Sequence, residues 1–123
     1  MLLRREEVSP ENLDSDGETP LLCAAYGGRE GVVKILLEQE GVNPETPNYA
    51  GQTPLSIAAQ EGHEGVVRML LERQEVNPNK ADNEGQTPLM YAAGGGHQRV
   101  IELLHLHQVV AHSASTGRID TPP

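Results

Sequence analysis

Phenylalanine and tryptophan are absent from the 123 residues, and tyrosine occurs only three times. Any core must therefore be built from Leu, Val, Ile, Ala and Met, slim side chains that favour thin helix-on-helix packing. A single cysteine, Cys23, excludes an internal disulfide and fits a reducing compartment. The opening MLLRREE reaches charged residues too soon to form a signal-peptide core, and no apolar run approaches the roughly 20 residues of a membrane span. The expectation is a soluble cytoplasmic chain, with the nucleus as second setting, and no membrane partner. Basic residues are also scarce: 9 Lys and Arg against 18 Asp and Glu, a net charge of −9, with no basic block. A phosphate backbone would be repelled, so nucleic acid is not an expected partner. The length suits one domain.

What the sequence does have is a word spelled twice. GQTPL occurs at Gly51 to Leu55 and again at Gly85 to Leu89, 34 residues on. On that ruler Gly17, Gly51 and Gly85 fall in register, followed by Thr19, Thr53 and Thr87, then Pro20, Pro54 and Pro88. The pairs Ala24-Ala25, Ala58-Ala59 and Ala92-Ala93 align, as do Gly28, Gly62 and Gly96, Val32, Val66 and Val100, and Leu36, Leu70 and Leu104. This is an internal repeat, and it fixes the architecture before any other feature.

The middle copy shows how one unit works. Thr53 offers a hydroxyl to an unpaired helix N–H, and Pro54 follows at the first helical position, where a missing N–H does no harm. The helix runs to about Gln60 or Glu61, because Gly62 supplies a left-handed stop. Such a helix is too short to survive alone and must be held by neighbours. A second helix is predicted from about Glu64, whose charge suits the positive end of the helix dipole. Val66, Val67, Leu70 and Leu71 form its apolar face, with Arg68, Glu72 and Arg73 opposite. From there to Gly85 the chain is rich in Asn, Asp and Pro, without helical period, and reads as an extended finger returning to the next GQTPL.

These residues resemble the ankyrin repeat family, whose T-P-L-H-x-A-A…G-H…V-V-x-L-L-L pattern is matched by TPLSIAAQEGHEGVVRMLL, and with more losses by TPLLCAAYGGREGVVKILL and TPLMYAAGGGHQRVIELLH. Tetratricopeptide repeats share the period and the helix pair, but use neither the Thr-Pro cap on a very short first helix nor a long turn-rich finger. The resemblance implies an all-α solenoid of stacked helix-turn-helix units joined by hairpin-like fingers. The sequence departs from the family at Leu22, Ser56 and Met90, which replace the His after T-P-L, so its hydrogen-bonding brace is expected to be absent. The glycine that ends the family's second helix is missing, and the finger is rebuilt around Pro44 and Pro78.

The ruler divides the chain into the end of a partial repeat and finger at 1–16, repeats at 17–50, 51–84 and 85–112, and a tail or truncated repeat at 113–123. Leu2 and Leu3 fall on Leu36 and Leu37, and Thr121-Pro122 on Thr87-Pro88. The chain therefore reads as a slice of a longer array, or an eroded descendant, against the alternative of a complete three-repeat protein with irregular caps. The middle unit should be the most stable. The third is weakened by Gly94, Gly95 and Gly96 and by His105 and His107.

Chemistry finds little purchase. His97, His105, His107 and His112 come late and close together, but His105 and His107 point to opposite sides of a helix and no Cys or carboxylate stands at ligand spacing. No metal and no cofactor is expected. Cys23 aligns with Ile57 and Tyr91 and is read as a small core residue, not a reactive thiol. Ser56 has no relay partner in the sequence, and the glycine run lacks the Lys-Ser or Lys-Thr of a phosphate loop. No enzyme is expected.

Recognition is left. The family resemblance places contacts on the concave side: finger-tip residues Ser15, Asp16, Tyr49, Ala50, Asn83 and Glu84, the pre-threonine positions Glu18, Gln52 and Gln86, and first-helix residues Tyr26, Gln60 and Glu61. Tyrosine is a favoured interface anchor. Asp16, Glu18, Glu61 and Glu84 would make this side acidic, which points to a protein partner with a basic segment, bound by a monomer. A second reading is a regulatory or spacer segment of a larger multidomain protein, attached or not to an enzyme domain, with no strong partner of its own.

Overall fold

The computed structural model describes residues 17–116, with side chains described for residues 17–107. Ser15 and Asp16 lie outside the described residues, and the His112 side chain lies outside the described side chains. Helices run at α1 (Pro20–Gly27), α2 (Glu30–Glu38), α3 (Pro54–Glu61), α4 (Glu64–Leu71), α5 (Pro88–Gly95) and α6 (Gln98–Thr116), with no strand among the described residues.

The short first helices α1, α3 and α5, eight residues each, begin and end alike. Thr19, Thr53 and Thr87 accept, through Oγ1, the N–H of Leu22 at 3.1 Å, Ser56 at 3.2 Å and Met90 at 3.3 Å. A proline fills the first helical position in each. Gly28, Gly62 and Gly96 close them with φ of 69°, 76° and 72°, a left-handed conformation that an L side chain enters only at a cost. In the middle unit a different device stands where the family has its His. Ser56 Oγ accepts the Thr53 N–H at 2.9 Å and donates to the Thr53 carbonyl at 3.0 Å, closing a capping box. A hydroxyl three residues after the cap can do this; Leu22 and Met90 cannot.

The second helices α2 and α4 have no side-chain cap and carry Glu30 and Glu64 in their first turns. Val33 and Leu37 on α2, and Val66, Val67 and Leu70 on α4, are buried. The third second-helix departs from the pattern. α6 spans 19 residues, against 9 in α2 and 8 in α4, so the helix runs on to Thr116, past 112, where the third repeat was expected to give way to a tail or a truncated repeat. The cause lies in the sequence: Gln98 to Thr116 contains no Gly or Pro, and the first helix breaker is Gly117.

Stacking supplies what short helices lack. α3 packs against both α1 and α5, while α4 packs against α2 and α6. Ala58 and Ala59 are fully buried at the waist of α3, where small side chains admit both neighbours. Two histidines stitch successive units. His63 Nε2 lies 2.8 Å from the Tyr26 carbonyl oxygen and His97 Nε2 lies 2.9 Å from that of Gln60. A carbonyl only accepts, so each Nε2 carries the proton. Each ring also lies close over the glycine that closes the first helix of the preceding unit, Gly28 for His63 and Gly62 for His97.

Equivalent positions show which side of a unit meets which neighbour. Val66 is fully buried but Val32 is 43% exposed; Ser56 is buried but Met90 is 52% exposed. Cys23 belongs to this set, and its expected burial is corrected: it is exposed, whereas Ile57 at the same position is buried. This position is covered by a preceding unit, and no described helix precedes α1.

Candidate functional site

The fingers hang on two residues, Asn48 and Asp82, that the repeat ruler did not single out. Asn48 Oδ1 accepts the N–H groups of Ala50 at 2.9 Å and Gln52 at 3.0 Å; Asp82 Oδ1 does the same for Glu84 and Gln86, both at 2.9 Å. Backbone bonds complete each turn, from Asn48 N–H to the Gln52 carbonyl at 3.0 Å and from Asp82 N–H to that of Gln86 at 2.9 Å. Asn and Asp favour such turns because their side chains reach their own backbone two residues on.

The two then diverge. Asn48 uses its amide as a donor, to Glu18 Oε2 and to Gln52 Oε1, each at 3.0 Å. Asp82 uses its second oxygen as an acceptor for the Tyr91 hydroxyl. Gln52 links the halves, its Nε2 donating to Gln60 Oε1 and to the Tyr91 oxygen, both at 3.2 Å. A continuous polar line thus runs from Glu18 through Asn48, Gln52 and Tyr91 to Asp82, with members in all three repeats. The Tyr91 hydrogen bond, helped by the turn N–H groups, holds the Asp82 carboxyl below its ordinary range. Burial, then the neighbouring Asp82, pushes the Tyr91 phenol up.

Beside this line opens a groove of about 400 Å³ lined by Glu18, Cys23, Tyr26, Gln52, Ile57, Gln60 and Glu61. Five of the expected contact positions come together here: Glu18, Tyr26, Gln52, Gln60 and Glu61. Cys23 and Ile57 join them unforeseen. Tyr26 is 62% exposed, yet its backbone is held by His63, so the ring stands on a fixed base. Gln52 is half-buried and committed to the polar line, which makes it part of the wall.

The finger-tip residues form a separate cluster. Asn83 clamps one finger to the next, its N–H donating to the Ala50 carbonyl at 3.0 Å and its Nδ2 to the Tyr49 carbonyl at 2.9 Å. Tyr49 is 68% exposed, and its ring rests on Gly17 so closely that an added Cβ there would lie 2.6 Å from it. Ala50, Asn83, Glu84 and Gln86 are exposed.

Residues 1–82 and 40–113 match the family model described as ankyrin repeats in three copies. The chain belongs to the ankyrin repeat family. Among curated proteins none matches it closely enough to count as a relative. Ankyrin repeats in general mediate protein–protein contact and are typically non-catalytic, consistent with a site here made of a groove and exposed tyrosines. No group of three His, Cys, Asp or Glu side chains that could hold a metal ion occurs among the described residues. No described helix is long and apolar enough to cross a membrane.

Proposed function

We propose that this ankyrin array is a non-catalytic recognition module that holds a basic segment of a protein partner on its concave face. The supporting observation is the convergence of Glu18, Tyr26, Gln52, Gln60 and Glu61 on one groove. The separate finger-tip cluster, with Tyr49 exposed and braced, is a second part of the proposed contact surface. Ser15 and Asp16, outside the described residues, belong to this proposed surface on the repeat ruler. The net charge of −9 favours a cationic partner and accelerates its arrival at low salt.

The test is a pull-down with the full chain at low and high salt, beside a variant carrying Tyr26→Ala and Tyr49→Ala. The expected result is a bound protein that is lost from the double variant and weakened by salt. A bound protein indifferent to both changes would refute the proposal.

A further inference from the structure

Resting on the reading that the concave face holds a protein, we infer that the groove between α1 and α3 takes an arginine side chain of that partner in preference to lysine. Its lining has two carboxylates, Glu18 and Glu61, and no basic side chain. The amide N–H groups of Gln52 are already directed to Gln60 and Tyr91, so they do not turn the wall toward an anion. A cation fits this charge pattern, but charge alone would not choose between cations.

The apolar half of the lining makes the choice. Tyr26, Cys23 and Ile57 give an aromatic ring and two apolar contacts next to the carboxylates. An ammonium is a compact, strongly hydrated point charge and loses its water reluctantly beside such surfaces. A guanidinium is flat and weakly hydrated, and it can lie on the Tyr26 ring while its edge donates to a carboxylate. The three-carbon stem of arginine would lie along Cys23, above the buried Ile57. The Tyr26 backbone is pinned by His63, so little ordering is required of that wall on binding. At about 400 Å³ the space takes the side chain and part of its flanking backbone.

Three capped pentapeptides test this: Gly-Ser-Arg-Ser-Gly, the same with lysine, and the same with citrulline, which keeps the arginine shape without its charge. Each is titrated into the full chain and followed by backbone amide and isoleucine methyl NMR shifts. The arginine peptide should shift Tyr26, Ile57 and Glu61 saturably and bind about threefold more tightly than the lysine peptide, the scale of an exposed cation–π contact. The citrulline peptide should leave these signals in place. Tyr26→Ala should abolish the preference, Tyr26→Phe should retain it, and Glu61→Gln should weaken arginine and lysine peptides together. Tyr26 and Glu61 are not core residues, and unchanged circular dichroism verifies that each variant folds.

Equal affinity for arginine and lysine, or a preference that survives Tyr26→Ala, would overturn the inference. So would a pull-down partner that resists Glu61→Gln but is lost with Tyr49→Ala, a result that leaves the concave-face reading intact.

Discussion

Asn48 and Asp82 occupy the same place in successive fingers and differ only in whether the second side-chain group donates or accepts. Asn48 faces the acceptors Glu18 Oε2 and Gln52 Oε1, while Asp82 faces the Tyr91 hydroxyl. Asn48→Asp would set a carboxylate against two acceptors at a residue only 9% exposed, and should cost about 1–3 kcal/mol in urea unfolding. Glu45 makes a pH-dependent case. Its Oε2 accepts the Asn77 N–H at 2.8 Å, tying one finger to the next, but Oε1 is buried with no hydrogen-bond partner among the described residues. Burial pushes the Glu45 carboxyl up, against the Asn77 bond and the Lys80 charge, which pull it down. A carboxyl raised on folding contributes most below the unfolded carboxylate range, and that contribution is lost as pH rises through the folded value. Glu45→Gln keeps an acceptor for Asn77 and should therefore be more stable than the parent at pH 7, by up to about 1 kcal/mol. The gain should vanish below about pH 4; an equal gain at both pH values would refute the assignment.

The short first helices were legible in the sequence because the signals that define them are local. Thr-Pro and the closing Gly lie within ten residues of each other and act through caps and φ. The wiring of the fingers was not legible, since Asn48 and Asp82 look alike until their partners are known; Glu18 lies 30 residues from Asn48 and Tyr91 lies 39 from Gln52. Nor was the exposure of Cys23, which depends on its place in the stack and not on its residue type. Closing glycines separate two costs. Gly96→Ala, with φ of 72° and open space around it, should lose about 1–2 kcal/mol for backbone conformation alone. At Gly62 a Cβ would also lie 2.5 Å from His97 Nδ1, so Gly62→Ala should lose about 1–3 kcal/mol more. Gly94 is inside α5, and a Cβ added there would meet nothing within 4 Å, so Gly94→Ala should stabilise by about 0.5–1 kcal/mol. Thermal unfolding of the three variants checks the order.

Across the whole molecule, burial is uneven. α3 has six buried residues, between neighbours on both sides, whereas α5 has only Pro88 and Ala92. In a solenoid each interface contributes separately, so opening should follow burial. Amide hydrogen exchange should be slowest in α3 and α4 and fastest from about Gly94 onward; the reverse order would contradict the stacking account. The histidine stitches add a direction to this picture. His63 and His97 both reach back to a carbonyl in the unit before their own. As a ribosome releases the chain from its N-terminus, each ring would emerge after the carbonyl that receives it. Assembly is thus suited to vectorial growth during synthesis, with every new helix pair latching onto a finished one.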